Sequence, residues 1–184
     1  IKLVRIASHF SEIHRAIPIA NKIKALGYKV AINLMQVSDR TDKEIKEFCD
    51  LAKKINIETL YFADSTGSLD SDKTHKITKN FRKHWKKNLG IHAHDNMDKA
   101  MENALVALDT GVNWIDSTVL GMGRGPGNVK TENLILEIEK KNKKKVNYNS
   151  LIKLVENDFV PMKNKYGWGS NTYYYLSGLY GIHP

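Results

Sequence analysis

The sequence predicts an α/β fold built around a parallel β-sheet. Short apolar runs alternate five times with amphipathic helical patterns, in units of roughly 25 to 30 residues, as in strands joined by crossover helices. The runs are largely apolar along their whole length, which is typical of strands covered by other elements on both faces. The 184 residues are enough for one domain with a hydrophobic core. Both an open doubly wound sheet and a (β/α)8 barrel fit this pattern.

The five predicted strands share a β-prone, apolar composition and are followed by polar or glycine-containing turns. They are residues 3–7, 29–35, 59–63, 89–94 and 112–117. Helical spacing of apolar residues predicts helices between and after them, over residues 11–26, 41–55, 71–85, 97–109 and 131–140. Ser11 is the expected N-cap of the first helix, Thr41 with Glu44 forms a capping box for the second, and Asn149 or Ser150 is expected to cap a later one.

Composition and charge are those of an ordinary soluble protein, with 41% hydrophobic and 27% charged residues. No apolar run approaches the roughly 20 residues of a membrane span, and we expect no signal peptide. Cys49 is the single cysteine and has no internal disulfide partner, which indicates a reducing, cytoplasmic environment. The chain starts with Ile1 and not Met, so we expect upstream sequence to be missing.

The net charge of +9 raises the question of nucleic-acid binding. Most of the positive charge is lysine, spread over predicted helix faces and grouped between residues 140 and 145, where a helix ends. No aromatic residues cluster with arginine as a stacking surface for bases requires. A lysine-rich, solvated surface is therefore the expectation, with neither nucleic acid nor membrane as a partner.

Polar residues gather where the predicted strands end. They are Ser8 and His9, Gln36, Asp64 and Ser65, His92 and His94, and Asp116 and Ser117. In both candidate architectures ligands bind beyond the carboxyl ends of parallel strands. Strand ends also turn polar for other reasons, but five such ends together favour a binding site.

The pair His92 and His94 is the strongest single signal. Side chains alternate along a strand, so residues two apart point to the same side. Two imidazoles that converge from one strand end can bind one divalent ion. An isolated His-x-His pattern is weak, and two unrelated surface histidines are the alternative.

Several motifs together resemble the DRE-TIM metallolyase superfamily, which has an HMG-CoA lyase-like or pyruvate carboxyltransferase domain. The motifs are Gly90-Ile91-His92-Ala93-His94-Asp95-Asn96, Ala100 with Asn103, Ile115-Asp116-Ser117, the glycine series ending in Gly127-Asn128, and Glu132. The superfamily includes HMG-CoA lyase, isopropylmalate and homocitrate synthases, and 4-hydroxy-2-oxovalerate aldolase. Ala63-Asp64-Ser65-Thr66-Gly67 and the tail Ser177-Gly178-Leu179-Tyr180 are most similar to the aldolase branch.

The resemblance implies a (β/α)8 TIM barrel of which this chain holds the carboxyl-terminal five βα units, strands four to eight, and further helices. Residues 1–145 would be the carboxyl-terminal part of the metallolyase domain and residues 146–184 a helical extension. The amino-terminal half of the barrel would be missing, and with it the family's Arg-Asp pair, in which the Asp is a metal ligand and the Arg stabilises the enolate. An isolated chain without that pair is expected to be inactive.

The resemblance also implies a chemistry and assigns roles. The family cleaves or forms a carbon–carbon bond next to a ketone, with Mn²⁺ or Mg²⁺ holding a pyruvate enolate. By resemblance His92, His94 and Asn128 are metal ligands, Ser65 and Asp64 are substrate-binding residues, and Tyr180 is a catalytic residue at the mouth of the site. A turn residue is the alternative for both Asn128 and Ser65. A structural carboxylate is the alternative for Asp64, and a packed aromatic is the alternative for Tyr180.

The preferred function is thus a metal-dependent aldolase or lyase acting on 4-hydroxy-2-oxo acids. An acyl-CoA-dependent 2-oxo-acid synthase is the alternative within the superfamily, and a non-catalytic barrel fragment or basic binding module is the alternative outside it. The aldolase relatives imply an aldehyde dehydrogenase partner. Five strands of a barrel leave two open edges, so we expect a homo-oligomer or an unstable isolated chain.

Overall fold

The computed structural model describes residues 1–143 and 145–182 and contains one five-stranded parallel sheet. Its strands are β1 (Leu3–Ser8), β2 (Lys29–Leu34), β3 (Thr59–Asp64), β4 (Asn88–Ala93) and β5 (Trp114–Ile115). The strands are adjacent in the order β1-β2-β3-β4-β5. A doubly wound sheet reverses its strand order at a switch point, whereas a barrel adds each strand beside the last. The order therefore selects the barrel between the two predicted architectures.

Helices connect the strands, and more helices follow the sheet. They are α1 (Ile13–Ala25), α2 (Asp42–Ile55), α3 (Ser71–His84), α4 (Ala100–Thr110), α5 (Thr131–Asn142), α6 (Tyr148–Leu154), α7 (Val160–Tyr166) and α8 (Thr172–Leu179). A π-helical segment, Val155–Phe159, joins α6 to α7. None of the helices in the described part of the chain is both long and apolar enough to cross a membrane.

The strand register gives the sheet two distinct faces. Tyr61 pairs with Gly90, and Ala63 pairs with His92. Alternation then places Leu60, Phe62 and Asp64 of β3 on the opposite face from Tyr61 and Ala63. We call the face that carries Tyr61 and His92 the inner face, because it would line a closed barrel, and the other the helix face.

The helix face forms the hydrophobic core. Strand residues such as Ile32, Leu34, Phe62 and Leu89 are fully buried against the helices. Phe81 of α3 stacks on Phe62 with ring centroids 5.2 Å apart. This packing explains the apolar residues at alternate positions of the predicted strands.

Most predicted helices are confirmed, but two predicted caps are wrong. Thr41 and Glu44 form the expected reciprocal capping box at the start of α2. Residues Phe10–Glu12 form a 3₁₀ turn, so α1 begins later and Ser11 is not its cap. Asn147, not Asn149 or Ser150, caps α6 by accepting a hydrogen bond from the Ser150 N–H at 3.1 Å.

The carboxyl-terminal helices return to the loops at the carboxyl end of the sheet. A Cβ added to Gly178 of α8 would lie 2.9 Å from the backbone oxygen of Gly67, so this helix approaches the loop after β3 closely. The Asn96 amide donates to the Ser177 hydroxyl at 2.9 Å. The predicted boundary at residue 145 between barrel and extension stays a prediction, and residues 144, 183 and 184 lie outside the described residues.

Candidate active site

The two histidines of the His-x-His motif lie side by side on the inner face. His92 belongs to β4 and His94 follows its end. Their ring centroids are 5.1 Å apart and the rings meet edge to face. The predicted convergence of two imidazoles at one strand end is therefore present.

Asp116 links His92 to an arginine from the first strand. The His92 Nδ1 lies 2.8 Å from the Asp116 Oδ2, and the Arg5 Nη1 lies 2.5 Å from the same oxygen. Burial acts to raise the pKa of Asp116, but the hydrogen bond from His92 and the Arg5 charge together lower it below its ordinary value. Asp116 is thus held as a carboxylate that accepts from both neighbours.

Asn128 stands next to His94. The two residues form an isolated antiparallel bridge, which puts their side chains on the same side. The Asn128 Nδ2 lies 3.4 Å from the Met122 carbonyl, and a Cβ on Gly123 would lie 2.3 Å from this nitrogen. The Asn128 Oδ1 is buried and has no hydrogen-bond partner. Buried polar atoms are rarely left unpaired, so this oxygen is a candidate ligand atom.

These residues supply part of the ligand set of a divalent metal ion. A hydrogen bond from Nδ1–H to Asp116 leaves the His92 Nε2 lone pair for a ligand. His94 adds a second imidazole, and the Asn128 Oδ1 adds an oxygen. Across residues 1–143 and 145–182, no group of three or more His, Cys, Asp and Glu side chains could hold a metal ion. In a site with two histidine ligands and one carboxylate ligand, the carboxylate would have to come from outside these residues.

Ser65 lies at the end of β3, on the inner face by alternation from Ala63. Its hydroxyl oxygen accepts a hydrogen bond from the Gln36 N–H at 3.0 Å. The hydroxyl proton therefore remains available to donate to a substrate oxygen. This geometry is compatible with the expected contact to a substrate carboxylate.

The Asp64 side chain points to the helix face and not toward the histidines. Its two carboxylate oxygens accept hydrogen bonds from the Ser68 N–H at 3.0 Å and the Leu69 N–H at 3.1 Å. Burial raises the pKa of Asp64 to about 6, although these backbone donors act to lower it. The structure thus places Asp64 as the anchor of the loop after β3, one of the two roles left open for it.

Tyr180 directly follows α8 and is 71% exposed to solvent. The structure brings His92, His94, Asp116 and Asn128 together, but it leaves the Tyr180 ring in solvent. A catalytic role for Tyr180 stays a prediction.

Two inner-face residues, Arg5 and Tyr61, were not singled out from the sequence. Arg5 lies over the Tyr61 ring, with 4.6 Å from its guanidinium carbon to the ring centroid. A Cβ on Gly90 would lie 2.2 Å from the Tyr61 ring, so this ring occupies the space that a larger residue would fill. A signal was present for Arg5, which is the one charged residue in the predicted strand 3–7.

Comparison with known proteins gives consistent matches. The sequence profile of the HMGL-like family matches residues 4–157. A 4-hydroxy-2-oxovalerate aldolase from Brevibacillus brevis is 30% identical over 138 residues, which cover 75% of this chain and 41% of that protein. This chain thus spans less than half the length of the curated relatives it matches.

Solved structures match over nearly the whole chain. The N-terminal domain of a Bacteroides vulgatus protein, described only provisionally as an aldolase, superimposes with a TM-score of 0.92 at 33% identity and covers 100% of this chain and 61% of that one. An HMG-CoA lyase from Bacillus subtilis gives a TM-score of 0.77 at 17% identity, over 96% of this chain and 67% of the other. The second likeness concerns the fold alone.

Proposed function

The chain belongs to the HMGL-like family, and from that premise we propose that it is part of a divalent-metal-dependent carbon–carbon lyase. We propose 4-hydroxy-2-oxo acids as the substrate class, cleaved to pyruvate and an aldehyde. The name of the matching Brevibacillus brevis relative supports this class. The resemblance of the Asp64-Ser65-Thr66-Gly67 segment to the aldolase branch supports it as well.

One observation carries the proposal. His92 and His94 lie together on the inner face, beside an Asn128 oxygen that is buried without a partner. A buried acceptor without a partner costs stability, so packing alone does not explain the Asn128 oxygen. A bound cation would give that oxygen a partner, and His92 and His94 are placed to bind the same ion through ring nitrogens.

In this proposal each residue has a defined task. His92 and His94 hold Mn²⁺ or Mg²⁺ through ring nitrogens, and Asn128 adds its amide oxygen. The ion, when bound, supplies Lewis-acid stabilisation of the negative charge that develops on the substrate keto oxygen. The Ser65 hydroxyl donates a hydrogen bond to the substrate carboxylate and so orients the bond to be broken. Tyr180 and Asp64 have no role in the proposed reaction. The Tyr180 ring lies in solvent, and the Asp64 carboxylate accepts hydrogen bonds from its own loop.

The remaining machinery is proposed to come from outside residues 1–184. The resemblance assigns the third ligand and the enolate-stabilising arginine to an Arg-Asp pair on an earlier barrel strand. We therefore expect residues 1–184 alone to be inactive, and the longer protein to be active. An aldehyde dehydrogenase partner and a homo-oligomer remain predictions from the same resemblance.

The test is pyruvate release by the full-length protein from 4-hydroxy-2-oxo acids with added Mn²⁺. His92→Ala and His94→Ala should each lower the rate more than about 100-fold, since even outer partners of metal ligands are worth about 10- to 100-fold. His14→Ala, on an exposed position of α1, is the matched control and should keep full activity. Full activity in both ligand variants would contradict the proposal. Release of free thiol from acetyl-CoA with a 2-oxo acid, without lyase activity, would instead favour the synthase alternative.

A further inference from the structure

We propose that Asp116 is a positioning residue that fixes the ring orientation and the proton of His92, and that Arg5 and Tyr61 hold Asp116 in place. This inference rests on the proposed function, because it concerns how one of the proposed metal ligands is presented. It goes further by giving a task to inner-face residues that the proposed reaction does not use.

The first step is the contact between Asp116 and His92. The His92 Nδ1 lies 2.8 Å from the Asp116 Oδ2, a normal distance for a charge-assisted hydrogen bond. A carboxylate only accepts, so the proton of this bond belongs to Nδ1. In the neutral ring the other nitrogen, Nε2, then carries the lone pair that a metal requires. Without Asp116 the ring could exchange its proton between the two nitrogens and rotate.

The second step is the hold on Asp116. Arg5 donates from Nη1 to the same carboxylate oxygen at 2.5 Å, across 111 positions of sequence. Arg5 comes from β1 and Asp116 directly follows β5, so this contact joins the first and last strands of the sheet. The carboxylate thus lies between a guanidinium and an imidazole. We call the contact of Arg5 with Asp116 the clamp.

The third step is the hold on Arg5. Its guanidinium lies over the Tyr61 ring at 4.6 Å, an attractive arrangement of a cation over an aromatic face. Tyr61 in turn meets Trp114 edge to face at 6.4 Å. The Tyr61 ring covers Gly90, where any Cβ would collide with it. The glycine two positions before His92 is therefore explained by packing against the Tyr61 ring.

A purely stabilising ion pair is the alternative role for the contact between Arg5 and Asp116. Such a pair would affect the free energy of unfolding and leave metal affinity unchanged. Groups that hydrogen-bond a metal-binding histidine, in contrast, affect metal affinity by about 10- to 100-fold. The two roles therefore predict different measurements.

The experiment compares Asp116→Ala with the full-length wild-type protein in two readouts. Mn²⁺ titration should show affinity weakened by about 10- to 100-fold. Nitrogen-15 NMR of labelled histidine, recorded without metal, should show His92 protonated at Nδ1 in the wild type and a mixture of tautomers in the variant. Asp109→Ala is the matched control, because Asp109 also pairs with a basic side chain, Lys141, but on the protein exterior. It should change neither readout.

Two graded variants keep the test decisive if Asp116→Ala folds poorly. Asp116→Asn retains an acceptor oxygen without the charge, and Arg5→Met removes the clamp but keeps the Asp116 carboxylate. Both should weaken Mn²⁺ binding by about 10-fold, toward the lower end of the expected range. Unchanged affinity and an unchanged His92 tautomer in these folded variants would overturn the inference.

The two readouts separate this inference from the proposed function. Absence of Mn²⁺ binding by the wild-type protein would contradict the proposed function. The tautomer measurement would then decide alone: loss of the Nδ1-protonated form in Asp116→Ala supports Asp116 as the group that orients His92, and its retention overturns that role.

Discussion

The two faces of the sheet follow opposite rules. On the helix face, Phe62 and Leu89 are fully buried, and Asp64, the buried carboxylate at the end of β3, has both oxygens bonded to its own loop. On the inner face, Arg5 and Trp114 are exposed, and the polar groups bond across strands. Stability is built on one face, and the other is free to carry chemistry.

The contrast shows which polar residues need a functional explanation. Asp64 and Asp116 both lie near strand ends, and both were motif residues. The partners of Asp64 are backbone N–H groups of the following turn, so folding alone explains it. The partners of Asp116 are side chains of two other strands, and one of them is a proposed metal ligand. The hydrogen-bond partners thus distinguish the structural role of Asp64 from the proposed positioning role of Asp116.

The largest expected effect is a loss of stability from a substitution on the helix face. Phe62→Ala removes a ring that is fully buried and stacked on Phe81. The free energy of unfolding should fall by about 3–5 kcal/mol, measured by chemical denaturation. Phe62→Leu is the control and should recover most of the loss. A loss below about 1 kcal/mol would mean that the helix face is not the main source of stability.

The next effect concerns pH and the buried Asp64. Its pKa is about 6 in the folded protein against an ordinary 3.8, so the folded state binds the proton more tightly than the unfolded state. The resulting stability is fully present below about pH 4 and is lost as the pH rises through 6, at a cost of up to about 3 kcal/mol.

The measurement for Asp64 is the difference in unfolding free energy between wild type and Asp64→Asn across pH 4 to 7. We expect wild type to lose stability relative to the variant as the pH rises, because Asn never ionises. Asp72→Asn, on the exposed side of α3, is the control. A difference that is constant over this range would contradict the assignment of a desolvated carboxylate.

A smaller effect tests local structure away from both faces. Thr41→Ala removes the hydroxyl that accepts from the Glu44 N–H at the start of α2. Stability should fall by about 1 kcal/mol, measured by thermal or chemical unfolding. Thr41→Ser keeps the capping oxygen and should remain close to wild type. Equal losses in both variants would show that the cap is not the cause.

The smallest effect concerns the buried thiol of α2. Cys49 is fully buried, and burial raises its pKa to about 12. A thiol reagent at neutral pH should therefore leave Cys49 unmodified in the native protein and react fully after denaturation. Rapid stoichiometric reaction under native conditions would show that α2 opens readily.

The sequence was most informative where local pattern decides structure. The strands and helices follow from the local spacing of apolar residues, and the placement of His92 with His94 on one side follows from alternation along a strand. Both predictions are confirmed. The resemblance to the DRE-TIM superfamily and the partial-barrel fold are confirmed as well. These features depend on residues that are neighbours in the chain.

The sequence was least informative where distant strands meet. The contact between Arg5 and Asp116 spans 111 positions and depends on the order and register of all five strands. The orphaned Asn128 oxygen depends on a bridge between His94 and a glycine-rich loop. No local pattern carries such information, so these parts of the candidate site needed the structure.

The central claim is that the inner face holds a metal ion through His92 and His94. The most direct test is Mn²⁺ titration of the full-length protein against the double variant His92→Ala/His94→Ala, with His14→Ala as control. We predict saturable binding of one ion in the wild type and the control, and its loss by more than about 100-fold in the double variant. Equal binding in all three proteins, or no binding in the wild type, would contradict the account.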